Sequence, residues 1–528
     1  VSRDADPRSL VVPIRVAAAS GAAAVSRAAR SGAASPCLAR LPSAALALVA
    51  LVAGCGGDGA PPDAALPRYD GAVCAPPVAL PADDRAALRA ACTFSAGATP
   101  LETLGLDEGA RRAIPLTHVI VLMQENRSFD HYFATLSRTH PEVEALPDDY
   151  TNPDRDGLPV RPFHLDGTCV EADPPHQWDA MHAGWNGGRM DGFVRSAAVL
   201  GSDGRYALGY FDENDLPFYH WLARRFAFAD RHFASVLGGT WANRLTMYTG
   251  STHGVRNTFD RVVTEARTLF DALDEAGVRW GVYSDGPPRT DCLGWTTASR
   301  GVGTYTQFRR ALLDGTLPQV AFLDPGPGMD EGPPRDVQLG EQWTRDVVEA
   351  AIRSPLWPTL ALILTYDEAG GFFDHVPPPA ACPPSRDLPE LDRLGMRVPL
   401  YVVSPWARPG YVSHVVHEHA SITRFIEALH GLGALTVRDA NADALLDMFD
   451  FTACASIDVP EIPPAGIGGC RAPGRPLTAP RRPAPRPRAR PRRAGRRHSS
   501  PLRPRARASC GRDRRAAPPF VSIGVAEV

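Results

Sequence analysis

Lysine is missing from all 528 residues, so every formally positive side chain is an arginine, a bias we attribute to a GC-rich genome rather than to function. A basic surface is missing as well. Residues 481–515 hold 15 of the 56 basic residues, and the last 48 residues hold only Asp513 and Glu527 of the 59 acidic ones; residues 1–480 are left with 41 basic against 57 acidic, a net charge of −16. An acidic body of that kind argues against nucleic acid as a partner. None of the ten cysteines has metal-finger spacing, which argues against a zinc–thiolate site. The stretch Leu41 to Leu51 is apolar but too short to cross a bilayer as a mature helix. Hydrophobic content of 44% with 22% charged residues fits a globular protein rather than a membrane bundle. No internal repeat is present.

Four segments are expected: a leader over 1–54, a tether and N-terminal extension over 55–110, a folded domain over 111–470, and an Arg/Pro-rich tail over 471–528. Arg40, the apolar stretch and the small residues Val52-Ala53-Gly54 before Cys55 describe an export signal. The Val-Ala-Gly-Cys ending resembles the bacterial lipoprotein box, which implies lipidation of Cys55 and a membrane-anchored exported protein; an ordinary signal peptide with a chance cysteine is the competing reading. Residues 1–36 lie upstream of a normal signal and suggest an over-extended start. Export permits disulfides, and the local pairs Cys74–Cys92 and Cys454–Cys470 are among those it would allow, with the pairing left open. The body holds seven cysteines, so at least one is left over. The tail is too poor in apolar residues to bury a core and is expected to be disordered.

From about 110 to 435, short apolar runs alternate with amphipathic stretches. Strands are expected at His118–Met123, Phe226–Ala229, Val278–Tyr283, Val320–Leu323, Leu360–Thr365 and Leu400–Val403. Helices are expected at Leu216–Arg225, Arg244–Thr249, Thr268–Ala276, Glu341–Ser354 and Ala420–His430. This alternation predicts an α/β fold, a central mainly parallel sheet with helices on both faces. Residues 140–215, rich in Asp, Gly, Pro and His, break the rhythm and read as a long loop insertion over the active edge.

Two strands end in chemistry. His118–Met123 runs into Gln124-Glu125-Asn126, and Leu360–Thr365 runs into Tyr366-Asp367-Glu368. Ligands bind at the carboxyl ends of strands in such sheets. If the two strands are neighbours, three carboxylates and an amide converge, and that donor set suits one hard divalent cation such as Ca, Mg, Mn or Zn. A third segment, Gly238-Gly239-Thr240-Trp241-Ala242-Asn243-Arg244, puts two glycines before a helical stretch, a turn that would expose Thr240 near a helix N-terminus. A hydroxyl beside a metal attacks phosphorus well; spacing alone favours a plain helix cap at Thr240.

Glu125-Asn-Arg-Ser-Phe-Asp-His-Tyr-Phe133 resembles the signature of the bacterial phosphoesterase family that holds phospholipases C and an acid phosphatase. Asn186–Phe193, Gly238–Arg244, Tyr366 through His375-Val-Pro-Pro-Pro, and the block from Val398 to Glu427 match in order. The resemblance implies an alkaline-phosphatase-like fold and metal-assisted hydrolysis of phosphodiesters or phosphomonoesters. It implies Glu125, Asn126, Asp367 and Glu368 as metal ligands and Thr240 as nucleophile. His176, Asp374 and His375 are candidates for catalytic contacts, and Trp241, Asn243 and Arg244 for substrate binding. His419 opens a helix, where capping competes with catalysis. Gly332 stands where the family usually has histidine, with Arg335 close enough in sequence to replace its charge. The implied substrate is a phospholipid or small phosphoester. An acid phosphatase acting on monoesters, or a catalytically weak binding lipoprotein, is the alternative; oligomeric state is not legible.

Overall fold

The alternation of buried runs and amphipathic helices builds one eight-stranded sheet in this computed structural model, which describes residues 72–74, 76–199 and 201–470. The leader with Cys55 and the tail over 471–528 lie outside the described residues. The strands are β1 (His118–Gln124), β2 (Ala227–Ala229), β3 (Trp280–Tyr283), β4 (Val302–Gly303), β5 (Val320–Leu323), β6 (Leu360–Tyr366), β7 (Leu400–Val403) and β8 (Val412–Ser413), in the order β4-β3-β5-β1-β6-β7-β2-β8. Only β7 runs against its neighbours; the other pairs are parallel. All six expected strands are present, with ends shifted by at most two residues. The two-residue strands β4 and β8 are too short to leave a pattern in the sequence. β1 and β6 are buried along nearly their whole length, as central parallel strands covered on both faces must be.

The helices around the sheet that matter here are α1 (Phe129–Phe133), α2 (Trp178–Trp185), α3 (Pro217–Arg225), α4 (Thr240–Thr249), α5 (Leu269–Glu275), α6 (Tyr305–Leu313), α7 (Val337–Ile352) and α8 (His419–His430). Thr268 caps α5 through a reciprocal box with Asp271, and Gly277, at φ +69°, turns the chain into β3. α4 starts four residues before its expected position because every one of its residues is buried, so no polar face marks its first turn. α7 likewise starts earlier, at the Asp336 cap.

The insertion over 140–215 is more than loop. Its helix α2 and the short helix Phe193–Ala197 carry Met181, Phe193, Val194 and Ala197 into a second apolar cluster with Leu237, Ala369 and Phe373. The cover is thus packed onto the loops that follow β2 and β6. Short helices at Ala86–Ala90, Pro100–Leu104 and Glu108–Ala113 lie in the N-terminal extension, and the tether proper, from Gly56 to Asp63, lies outside the described residues. The cysteine pairing is not local: Cys74 bonds Cys454, Cys92 bonds Cys382 and Cys169 bonds Cys470, leaving buried Cys292 free. Sequence proximity favoured local pairs, but the fold brings the N-terminal extension against distant segments.

Candidate active site

Three adjacent strands end in acids. β1 and β6 are parallel and in register from His118↔Leu360 to Gln124↔Tyr366, so Glu125-Asn126 and Asp367-Glu368 leave the sheet side by side. β5, on the other flank of β1, pairs Leu323 with Leu122 and continues into Asp324. Asp324 escaped the sequence reading, although its strand was assigned and the same strand-end argument would have found it.

Arg244 ties these ends together. From the fully buried interior of α4 its guanidinium reaches Asp324 Oδ1 at 2.6 Å, Glu125 Oε1 at 3.4 Å and Asp367 Oδ2 at 3.5 Å. The substrate-binding role expected of Arg244 is not open to it, because its charge is consumed by carboxylates. Asn243 departs from expectation in the same way. Its amide accepts from Val236 N–H at 3.0 Å and donates to the carbonyls of Gly238 and Gly239, so it shapes the loop that carries Thr240. Trp241 stands at the edge of the core with its ring edge-to-face against Phe259.

Thr240 is the first residue of α4, capped by Gly239, and makes no side-chain cap. The capping alternative is thereby removed. Lying four residues before Arg244, it occupies the same helix face one turn nearer the N-terminus. Its N–H donates to Thr258 Oγ1 at 3.1 Å, a contact that nothing in the sequence marks. The paired glycines serve close approach rather than an unusual backbone. A Cβ at Gly238 would meet Arg256 O at 2.6 Å, and one at Gly239 would meet Gln177 Oε1 at 2.9 Å.

The loops after β1 and β6 interlock. Asn126, at φ +62°, donates its N–H to Asp367 Oδ1 at 3.0 Å. Gly370 is obligatory opposite it, since a Cβ there would sit 2.2 Å from Asn126 O. One terminal atom of the Asn126 amide lies 3.2 Å from Asp367 Oδ1 and 2.9 Å from Glu368 Oε1. With nitrogen inward it hydrogen-bonds both carboxylates; with oxygen inward the three groups form an all-oxygen cradle that only a cation can hold together. Asp367 Oδ2 is buried without a hydrogen bond. Burial pushes the Glu368 carboxyl up to about 8 and the Glu125 carboxyl up to about 7. Carboxylates held that high are short of positive charge, so Asn126, Asp367 and Glu368 fit a divalent ion. Glu125 is the expected ligand that turns elsewhere: Arg289 Nε takes its Oε1 at 2.6 Å.

The insertion delivers His176 to the same place. Its Nε2 lies 3.8 Å from Glu368 Oε1 and its Nδ1 2.8 Å from Pro174 O. Burial works against its charge, but Glu368 and Asp173 outweigh it and raise its pKa to about 10. Asp374 and His375 are not brought to the cradle by any contact. Asp374 is fully buried on Arg397 Nε at 2.9 Å, and His375 Nδ1 sits on Asp130 Oδ2 at 2.7 Å, so both lock the loop after β6. For Asp374 this replaces the expected catalytic role. His419 is structural too: its Nδ1 accepts from Ser235 N–H, which leaves Nε2–H to donate to Tyr366 O at 2.9 Å. Burial pushes its pKa down to about 4, so it is neutral. Gly332 borders Glu125: a Cβ there would lie 3.7 Å from Glu125 Oε2 and 3.6 Å from Arg335 Nη1. Arg335 is held by Asp330, which also meets Arg289 at 3.4 Å.

Comparison with known proteins places this arrangement. Non-specific phospholipase C1 of Arabidopsis thaliana is 31% identical over 390 residues, covering 66% of this chain and 73% of that protein. Non-hemolytic phospholipase C of Pseudomonas aeruginosa is 30% identical over 416 residues, covering 66% and 59%. A solved structure of a protein in the alkaline phosphatase superfamily from Vibrio parahaemolyticus is similar at 11% identity and a TM-score of 0.31, covering 59% of this chain and 77% of that one, and the family assignment does not rest on it. The Phosphoesterase family model matches residues 116–433, a span that holds both strand ends, the Thr240 turn and the insertion. With that match over more than half its length, the chain belongs to the phosphoesterase family.

Proposed function

We propose that this protein is an exported, metal-dependent phosphoesterase of phospholipase C type that cleaves phosphodiesters through Thr240. The observation that carries the reading is the shared face of α4: Arg244 reaches Glu125 and Asp367, and Thr240 lies one turn away at the helix N-terminus. Asn126, Asp367 and Glu368 would hold one divalent ion, with Glu125, bound to Arg289, beside them rather than among the ligands. Such an ion, when bound, lowers the pKa of a neighbouring hydroxyl and offsets charge on phosphoryl oxygens. The chain's own residues do the rest. Thr240 gives up its hydroxyl proton to solvent, its Oγ bonds to phosphorus as the P–O bond to one alcohol breaks, and the resulting phosphothreonine, still carrying the second ester substituent, is then hydrolysed by water. The N–H groups of Trp241 and Ala242 in the first turn of α4 favour the phosphoryl oxygens, that of Thr240 being taken by Thr258. The His176 imidazolium, next to Glu368, is the group we assign to protonating the leaving oxygen.

The test is hydrolysis of p-nitrophenylphosphorylcholine by purified protein, with and without a chelator. Chelator-sensitive turnover that disappears in Thr240→Ala supports the reading; no turnover of any phosphoester would sink it. A phosphatase acting on monoesters is the second reading; Arg289 and Arg335 border the site at Gly332, each paired with a carboxylate. p-Nitrophenyl phosphate assayed in parallel separates the two. Export, with lipidation at Cys55, is part of the proposal. Its support is the three disulfides, which belong to an oxidising compartment. Among the described residues no helix is long and apolar enough to cross a membrane.

A further inference from the structure

An exposed aromatic side chain on a strained backbone stands beside the candidate nucleophile. Phe259 is 81% exposed, and its backbone is at φ +65°, a conformation that suits glycine or asparagine and strains a bulky residue. Two unfavourable terms thus coincide at one position: an apolar ring in water and a left-handed backbone. Neither arises from a loose loop. Asp260 Oδ2 accepts from the N–H groups of Arg256 at 3.0 Å and Asn257 at 2.8 Å, and Asn257 Oδ1 accepts from Trp178 N–H at 2.8 Å. Thr258 donates its N–H to Gln177 Oε1 at 3.0 Å, and its Oγ1 accepts the Thr240 N–H at 3.1 Å. The turn is therefore bonded on one side to the insertion and on the other to the residue that carries the attacking hydroxyl. From this base the Phe259 ring leans edge-to-face on Trp241 with centroids 5.5 Å apart and projects outward, and Val262, 45% exposed, follows three residues on.

Charge beside the tip narrows what it meets. Arg261, exposed, donates to the His253 carbonyl and has no carboxylate partner among the described residues, so its charge faces outward next to the apolar tip. An apolar wedge with an unneutralised guanidinium matches the acyl and phosphate layers of a phospholipid surface. A second copy of this chain fits less well, because residues 1–480 carry a net charge of −16.

We propose that the turn 257–262 is a membrane wedge: Phe259 and Val262 enter the acyl layer while Arg261 meets lipid phosphates, which sets the Thr240 cleft at the lipid surface. This rests on the phosphoesterase reading and deepens it by naming membrane-phase phospholipid as the substrate pool.

The test uses the full chain carrying Cys55→Ser, so that no attached lipid contributes, with Phe259→Gly, Phe259→Trp and Val262→Ser added to it. Binding is measured by sedimentation with phosphatidylcholine vesicles, and turnover with water-soluble p-nitrophenylphosphorylcholine. Removing a buried phenyl ring should lower vesicle affinity about tenfold or more. Phe259→Gly, relieved of the strained backbone, should melt no lower than the parent and keep its turnover of the soluble ester within about twofold. Phe259→Trp should restore vesicle binding. Unchanged vesicle affinity in both Phe259→Gly and Val262→Ser overturns the wedge. So does a parallel loss of soluble-ester turnover, or a dimer in gel filtration that Phe259→Gly dissolves. If the parent hydrolyses no ester, the enzymatic reading fails while sedimentation still decides the wedge.

Discussion

Arg244 Nη1 lies 2.6 Å from Asp324 Oδ1, and through that fully buried contact helix α4 is fastened to the end of a strand two places from the one bearing Asp367-Glu368. The same guanidinium spans Glu125 and Asp367, so one side chain sets the spacing of three strand ends. Replacing it by methionine leaves three carboxylates crowded in the interior. Arg244→Met should destabilise the fold by about 3–5 kcal/mol, the range for breaking a buried pair, read by denaturant unfolding.

Thr240→Ala should lower kcat on p-nitrophenylphosphorylcholine by at least about 10³-fold, whereas Thr240→Ser should keep measurable turnover. Because Thr240 makes no side-chain cap, the circular dichroism spectrum and melting temperature of the alanine variant should match the parent. Full activity in Thr240→Ala would remove the nucleophile assignment.

The cradle is testable without turnover. Asp367→Asn should weaken divalent-ion binding by about 10-fold or more in calorimetric titration, because one anionic oxygen of the set is lost. A chelator should lower the melting temperature of the metal-loaded parent and leave that of Asp367→Asn nearly unmoved.

Glu331 gives a pH signature. Its buried carboxyl accepts hydrogen bonds from Tyr132 at 2.5 Å, Tyr366 at 2.8 Å and Tyr219, yet burial still holds its pKa up to about 7. An acid whose folded pKa is raised binds its proton more tightly in the native state, so stability is greatest below about pH 4.5 for this group and falls as pH rises toward 7. Glu331→Gln should flatten the melting-temperature profile between pH 5 and 7 relative to the parent. An unchanged slope would show that Glu331 does not titrate there.

How far the sequence spoke depended on whether a feature was local. β1 and β6 were legible because seven-residue buried strands show as apolar runs, and their polar ends marked the cradle. Thr240 was legible as the residue after a glycine pair, though the glycines serve close packing. What stayed hidden was whatever depends on two distant segments meeting. Nothing near Arg244 announces that Asp324 awaits it, nothing near Thr258 that it bonds the Thr240 amide, and nothing near Asp374 that Arg397 consumes its charge. The disulfide pairing stayed open for the same reason: local spacing allowed Cys74–Cys92, but the fold carries those residues to Cys454 and Cys382.

Those bridges have a consequence for how the protein is made. Their partners are 380, 290 and 301 residues apart, so on the export route proposed above each first cysteine would reach the oxidising side long before its mate. Oxidative locking would then be a late event, and a chain interrupted before residue 382 would carry none of these three bridges closed. An expression host lacking a thiol-oxidising compartment should accumulate a full-length but unfastened product, soft at the ends where the N-terminal extension ought to clasp the rest.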